Sequence, residues 1–93
     1  MLLSKIKVVG HSMEPTLKQN KIVIVSSIPY LFKKPTIGDI VVLKRQKYII
    51  KRITAIKKEQ VFVIGDNKKE STDSRNFGWI KKDSILGKVI HIG

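Results

Sequence analysis

Apolar residues in this chain come in short runs rich in valine and isoleucine, and no run keeps the 3.6-residue period of an amphipathic helix. Such runs are typical of strands, because β-branched side chains fit the pleated surface of a sheet. Glycine, proline and polar turn residues separate them. The sequence therefore predicts an all-β fold in a single small domain, residues 1–93, with about six mostly antiparallel strands. We place the strands at residues 4–9, 21–26, 39–45, 47–56, 60–64 and 88–92.

The chain is strongly basic, with 19 lysines and arginines against 7 carboxylates and a formal net charge of +12. Such a charge favours anionic partners, such as nucleic acid or an acidic membrane surface. Arginine, the usual base-reading side chain, is confined to Arg45, Arg52 and Arg75, and aromatic residues make up 6% of the chain. We therefore expect no nucleic acid partner, and a basic nucleic-acid-binding β-barrel is kept as the alternative.

The chain has no cysteine and two histidines, His11 and His91. Disulfides, thiolate chemistry and cysteine-built zinc sites are excluded, and two histidines are too few to form a metal site alone. No apolar segment approaches the roughly 20 residues that span a bilayer. We expect no metal, no cofactor, and no transmembrane segment or signal peptide. The sequence predicts a protein that is soluble and cytoplasmic or peripheral to a membrane.

Residues 27–38 form a predicted loop with two prolines, and its tip carries Tyr30, Leu31 and Phe32 beside Lys33 and Lys34. One interpretation is a loop folded back onto a small core. The other is shallow insertion into an anionic membrane, with the three apolar side chains at headgroup depth and the lysines on phosphates. The sequence alone leaves both open.

A small hydroxyl residue, Ser12, lies in a turn stiffened by Pro15. A serine hydroxyl is a weak nucleophile until a neighbouring base removes its proton. Lys51 is a candidate for that base, because Ile49 and Ile53 flank it on its own face of the predicted strand. Desolvation there is expected to lower the pKa of the amine. Alternatively, the lysine stem follows apolar surface and its ammonium reaches water.

Three segments in order resemble the type I signal peptidase family: G-H-S-M-E-P-T-L at 10–17, K-R-I at 51–53 and G-D-N-K-K-E-S-T-D-S-R-N-F-G at 65–78. The resemblance implies that Ser12 is the nucleophile and Lys51 the general base. It also implies that Ser71, Asp73 and Arg75 orient the site. The implied fold is the coiled sheet or partly open barrel of that family's catalytic core.

These roles make physical sense together. We expect Ser71 to hydrogen-bond the Lys51 amine, and an Asp73–Arg75 ion pair to hold the loop closed. The Ser12 backbone N–H is the expected oxyanion donor. Some relatives carry a serine two positions before the nucleophile, where this chain has Gly10. A Ser–His pair with His11 is the weaker reading, because adjacent residues on extended chain point apart.

The resemblance also implies a peptide substrate that binds as an extended strand, with small residues, often Ala-x-Ala, just before the cut. A shallow pocket accepts alanine and rejects larger side chains by steric clash. Gly10 lets the substrate backbone approach closely. The remaining expected substrate-binding residues are apolar, and each is otherwise an ordinary core residue: Ile6, Val8, Met13, Leu17, Ile49 and Ile50.

We expect a short, anchor-less catalytic core. In size the chain is similar to members of the family that mature nickel-type superoxide dismutase by trimming an N-terminal extension. The sequence therefore predicts a serine endopeptidase that removes a leader or N-terminal extension after a small residue. A non-catalytic relative is the other alternative, although Ser12, Lys51, Ser71, Asp73 and Arg75 are all present.

Overall fold

A computed structural model describes residues 2–93 of the chain. Seven strands form one sheet: β1 (Ser4–Lys7), β2 (Ile22–Ser26), β3 (Ile40–Lys44), β4 (Tyr48–Lys57), β5 (Gln60–Ile64), β6 (Ile80–Lys81) and β7 (Ile85–Ile92). The helices are single turns, α1 (Pro29–Phe32) and α2 (Ser74–Phe77), with 3-10 turns at Lys68–Glu70 and Lys82–Ser84. None of the helices in residues 2–93 is long and apolar enough to cross a membrane.

The strands follow the order β1-β2-β7-β3-β4-β5-β6, and all neighbouring pairs are antiparallel. Register shifts interrupt three of the pairings, at Ile24/Val25 in β2, Val42/Leu43 in β3 and Ile53/Ala55 in β4. Such irregularities bend a strand and increase its local twist. The sheet accordingly curls into a half-barrel, and the predicted all-β fold is confirmed.

Each face of the sheet buries its own apolar cluster. Val41 and Val42 are neighbours in β3 and belong to different clusters, as expected of adjacent residues on a pleated strand. The first cluster contains Val8, Met13, Leu17, Val23, Val25 and Val42. The second contains Val41, Leu43, Ile53, Val61, Val63 and Ile80. Residues 8–17 thus pack onto one face through the side chains beside Ser12.

The structure differs from the sequence prediction mainly in short elements. β6, α1 and α2 were not predicted, and β7 begins at Ile85 instead of residue 88. Gly87 concealed the start of β7, because glycine is depleted in strands. Here it serves a close approach, since a Cβ at Gly87 would lie 3.0 Å from the Ser26 carbonyl oxygen.

Within the loop of residues 27–38, one side chain of the tip packs onto the core and two are exposed. Tyr30 is half-buried against the second cluster, and its hydroxyl donates to Asp39 Oδ2 at 2.7 Å. Leu31 and Phe32 are instead 69% and 83% exposed. Tyr30 therefore fits the interpretation of a loop folded back onto the core, because its ring and hydroxyl both find partners in the fold, whereas Leu31 and Phe32 remain exposed.

Candidate active site

Ser12 lies in a tight turn that two buried side chains anchor to the sheet. Met13 and Leu17 are 1% and 0% exposed, and the Leu17 N–H donates to the Met13 carbonyl at 2.9 Å. Gly10 enters the turn with φ of +85°, a conformation that glycine adopts without the strain of a Cβ. This geometry suits glycine at position 10. The anchored turn holds Ser12, which is partly exposed, at the surface of the sheet.

Lys51 reaches Ser12 from the middle of β4. Its Nζ lies 2.8 Å from Ser12 Oγ, and the residue is 5% exposed. Burial lowers the pKa of the Lys51 amine, and the nearby Lys47 charge lowers it further, whereas the Asp73 carboxylate raises it in part. The net pKa is below that of a free lysine. A neutral amine at this distance can accept the serine proton.

Asp73 is fully buried and is the centre of the loop that packs beside Lys51. Its carboxylate accepts hydrogen bonds from the Gly65 N–H at 2.9 Å, from Ser71 Oγ at 2.7 Å and from Arg75 Nε at 2.9 Å. Burial alone would raise the pKa of this carboxyl, but the bonds from Arg75, Gly65 and Ser71 outweigh it and hold the pKa well below its usual range. Asp73 is therefore ionised at neutral pH.

The structure changes the expected contact of Ser71. Its hydroxyl donates to Asp73 Oδ2 instead of to the Lys51 amine. The carboxylate is the stronger acceptor, because a charged group makes stronger hydrogen bonds than a neutral one. Ser71 thus contacts Asp73, whose charge interacts with the Lys51 amine. The expected Asp73–Arg75 ion pair is present, and Asp73 also caps α2 by accepting from the Arg75 N–H at 3.1 Å.

The backbone of Ser12 is fixed by two residues that the sequence analysis did not single out. The Asn67 N–H donates to the Ser12 carbonyl at 2.9 Å. Gly65 lies so close that a Cβ there would be 2.5 Å from the same carbonyl oxygen and nearer still to Ser71 Oγ. Both belong to the G-D-N segment, whose glycine signals a close backbone approach. The carbonyl of the candidate nucleophile is thus held by the same loop that holds Asp73.

A groove of about 1010 Å³ opens beside Ser12, between β1 and the β3–β4 hairpin. Its wall includes six of the seven expected substrate-binding residues: Ile6, Val8, Gly10, Met13, Ile49 and Ile50. Leu17 is fully buried in the first cluster and does not line the groove, so its predicted role is corrected to that of a core residue. Val8 and Met13 are mostly buried too, so they shape the groove floor and support the core together.

The His11 side chain bonds to Glu14 and not to Ser12. Its Nδ1 lies 2.8 Å from Glu14 Oε2, on the exposed side of the turn. The bond to Glu14 and its charge raise the pKa of the imidazole. Within residues 2–93, no three histidine or carboxylate side chains converge as a metal site. The side chain positioned to act on Ser12 is therefore Lys51.

The profile of the family described as "Signal peptidase, peptidase S26" matches residues 1–57 and 53–92 of the chain. Together these segments cover nearly the whole sequence, including Ser12, Lys51 and the loop around Asp73. The chain belongs to the signal peptidase family.

Two curated proteins are similar in sequence to this signal peptidase family member. It is 27% identical to "Probable signal peptidase I-1" of Synechocystis sp., over 87% of the chain and 66% of the relative. It is 25% identical to "Thylakoidal processing peptidase 1, chloroplastic" of Arabidopsis thaliana, over 85% of the chain and 38% of the relative. The chain thus spans between about two fifths and two thirds of the length of these curated relatives.

A third relative shows higher local similarity. "Signal peptidase I" of Bacillus caldolyticus is 55% identical over 29 residues, which is 31% of this chain and 16% of the relative.

In this family member, a second ion pair ties the Ser12 turn to β4. Arg52 donates from Nε and Nη2 to the two oxygens of Asp66, both at 2.8 Å, and Thr16 Oγ1 donates to Asp66 Oδ2 at 2.6 Å. The bond from Arg52 lowers the pKa of Asp66. Arg52 follows Lys51 directly in β4. The bidentate bond from Arg52 to Asp66 and the bond from Thr16 to Asp66 therefore link this part of β4 to the turn that carries Ser12.

Asp73→Asn is expected to lower the free energy of unfolding at pH 7 by about 3 kcal/mol, because a buried carboxylate with several donors is lost. The pKa of Asp73 is depressed in the folded state. Its contribution is therefore complete above the ordinary carboxyl pKa and disappears as pH falls through the folded value. Urea unfolding of both proteins should show a large gap at pH 7 that narrows below about pH 4. A gap that is independent of pH would contradict this account.

Proposed function

We propose that the chain is a serine endopeptidase in which Ser12 attacks the substrate and Lys51 is the general base. One observation carries the proposal: the amine of Lys51, 5% exposed, lies 2.8 Å from Ser12 Oγ. A buried amine has the lowered pKa that a base needs near neutral pH, and its position satisfies the geometric requirement for proton transfer. Membership of the signal peptidase family supports the same assignment.

In the proposed reaction, Ser12 Oγ forms a bond to the carbonyl carbon of the scissile peptide as its proton passes to Lys51 Nζ. The Ser12 backbone N–H donates to the oxyanion, and Gly10 adds no hydroxyl there. The tetrahedral intermediate collapses when Lys51 returns the proton to the leaving amine. A water then attacks the acyl carbon and gives a proton to Lys51, which returns it to Ser12 Oγ as the carboxylic acid product leaves.

The proposed substrate is an extended peptide with small residues before the cut, such as a leader or an N-terminal extension. Ile49 and Ile50 of β4 and Ile6 of β1 line the groove, and this supports a substrate strand between β1 and β4. Shallow apolar walls favour alanine over larger side chains. Ser71, Asp73 and Arg75 are positioning residues in this scheme, since they act on Lys51 through the Asp73 charge.

The test is to incubate the wild type and Ser12→Ala with an Ala-x-Ala peptide library and to identify the products by mass spectrometry. The expected result is cleavage after a small residue by the wild type and none by Ser12→Ala. Circular dichroism of both proteins controls for folding. If both proteins cleave equally, the nucleophile assignment is wrong, and if neither cleaves any peptide, the chain is a non-catalytic relative.

The activity is expected to rise with pH from the neutral into the alkaline range, because the reactive form of Lys51 is the neutral amine. Lys47→Gln removes a like charge that lowers the pKa of Lys51. The midpoint of the kcat/KM profile should therefore move to higher pH in this variant. Lys57→Gln, a change of an exposed lysine at the far end of β4, is the control and should leave the midpoint in place. A shift to lower pH in Lys47→Gln would exclude the mechanism.

We also propose that the apolar tip, defined as Leu31 and Phe32, contacts anionic membranes. Both side chains are largely exposed, and Lys33 and Lys34 follow directly. Apolar residues enter the headgroup region while lysines bind the lipid phosphates. Tyr30 supports the tip from beneath, through its bond to Asp39.

The N-terminal residues extend the same apolar surface. Leu2 and Leu3 are 70% and 66% exposed. The Ser26 hydroxyl donates to the Leu2 carbonyl and also accepts from the Ile28 N–H, which places Leu2 next to the start of α1.

Leu31→Ser with Phe32→Ser is expected to abolish most co-sedimentation with phosphatidylserine-containing vesicles. Loss of two inserted side chains removes several kcal/mol of apolar burial, about 2 kcal/mol each when burial is complete. Ile90→Ser with Ile92→Ser, which are 47% and 41% exposed in β7, is the matched control. Unchanged binding in the Leu31/Phe32 variant would show that the tip does not insert.

A further inference from the structure

One end of the substrate groove is a cluster of cations on the β3–β4 hairpin turn. The Arg45 N–H donates to the Lys47 carbonyl at 3.1 Å, so both residues belong to one tight turn. The Arg45 guanidinium lies 3.8 Å from the centroid of the Phe77 ring, a stacking that orders the side chain against the groove wall. Arg45 and Lys47 both line the groove. A planar cation held in place loses little rotamer freedom when it binds an anion.

The opposite wall has the same sign of charge. Lys5 and Lys7 line the groove from β1. Among the groove residues in the described part of the chain, the one carboxylate is that of Glu70, which accepts from the Asn67 amide at 3.4 Å. No ion pair within residues 2–93 neutralises Arg45 or Lys47. Cations around a cleft raise the local concentration of anionic ligands.

The position of the turn sets which part of a substrate would meet these charges. In the proposed function, on which this step rests, the residues just before the cut lie against Ile49 and Ile50. Lys47 is four positions before Lys51 in the chain, and because the chain reverses at this turn, Arg45 lies beside Lys47. An extended peptide and a strand rise by nearly the same distance per residue, about 3.3 Å, so in a peptide parallel to β4 the residue about four positions before the cut meets this turn.

We propose that the groove selects peptides with an acidic residue about four positions before the cut, bound by Arg45 and Lys47. This class differs from an ordinary secretory signal peptide, whose central region is an uncharged apolar stretch of about 7–15 residues. Two cations without an ion-pair partner within residues 2–93 favour a carboxylate at this place over an apolar side chain. The geometry therefore favours an acidic leader or extension as the substrate.

The test uses Ser12→Ala, which binds peptide without cleaving it in the proposed mechanism. Two fluorescent peptides share Ala-x-Ala before the cut and differ by Glu or Gln at the fourth position before it. We expect the Glu peptide to bind about three- to tenfold more tightly, as one or two exposed ion pairs allow. Lys47→Glu in the same background should remove this preference, and high salt should weaken it. Lys57→Glu, with the same change in net charge, should retain it.

Equal affinity for the two peptides, no binding of either, or the same loss in Lys57→Glu as in Lys47→Glu would overturn this inference. Cleavage of the same peptides by the wild type tests the proposed function separately. If the wild type cleaves both peptides and their affinities are equal, the selectivity is wrong and the peptidase assignment stands. If the Glu peptide binds preferentially and the wild type cleaves neither peptide, the peptidase assignment is wrong and the acidic-peptide site stands.

Discussion

Lys51→Met should reduce kcat/KM on an Ala-x-Ala peptide by at least about 10³-fold, because the serine then has no base within reach. The fold should survive this change. Methionine has a similar length and no charge, and the position lies among apolar residues, so a desolvated amine is replaced by a side chain that suits the site. We expect the free energy of unfolding to be unchanged or slightly raised, measured by urea unfolding at pH 7.

Lys51→Arg is the informative companion of this variant. It keeps a positive charge, but a guanidinium stays protonated at any accessible pH and cannot accept the serine proton. It should therefore be as inactive as Lys51→Met and less stable, since a larger cation is forced into the same buried position. Activity in Lys51→Arg close to that of the wild type would mean that the residue acts through its charge and not as a base.

Gly65→Ala is expected to lower both the stability and the activity of the protein. The new Cβ would overlap both Ser71 and the Ser12 carbonyl oxygen, 2.5 Å away, so the two segments must separate. Overpacking of this kind costs about 1–3 kcal/mol of stability. A displacement of Ser12 by about 1 Å lowers kcat by about 10²-fold. Thermal unfolding and steady-state kinetics measure the two effects independently.

A double variant separates these effects. Ser71→Gly removes the Oγ and Cβ that the new methyl group would meet, but the Ser12 carbonyl remains in its way. Gly65→Ala with Ser71→Gly should therefore recover part of the stability and little of the activity. If Gly65→Ala is as active as the wild type, the close packing of the loop on Ser12 has no role in positioning it.

The strands of this fold were predictable because their apolar residues are local and β-branched. The run from residue 60 to 64 matches β5 at both ends, since a turn on one side and a glycine on the other limit it. β6 has two residues, and α1 and α2 have four each, so none is long enough to show a period. Their existence depends on contacts such as the cap that Asp73 provides to α2.

The residues of the candidate site could be predicted from the sequence where their type and their order along the chain identify them. The resemblance brought together Ser12, Lys51 and the Asp73–Arg75 pair, and the structure places all of them in one region. It could not give the partner of Ser71, because whether a hydroxyl reaches an amine or a carboxylate depends on side-chain geometry. Nor could it give the contact of Asp66 with Thr16, which joins residues 50 positions apart.

The most direct test of the Ser12–Lys51 mechanism exploits the absence of cysteine from the chain. Lys51→Cys carries a single thiol, which bromoethylamine converts, in denaturant, into a side chain that again ends in an amine. After refolding, we expect the unmodified cysteine variant to be inactive. Aminoethylation should restore peptide cleavage, whereas capping with iodoacetamide should not. Cleavage by the unmodified variant, or equal recovery with both reagents, would contradict the role of Lys51 as the base that activates Ser12.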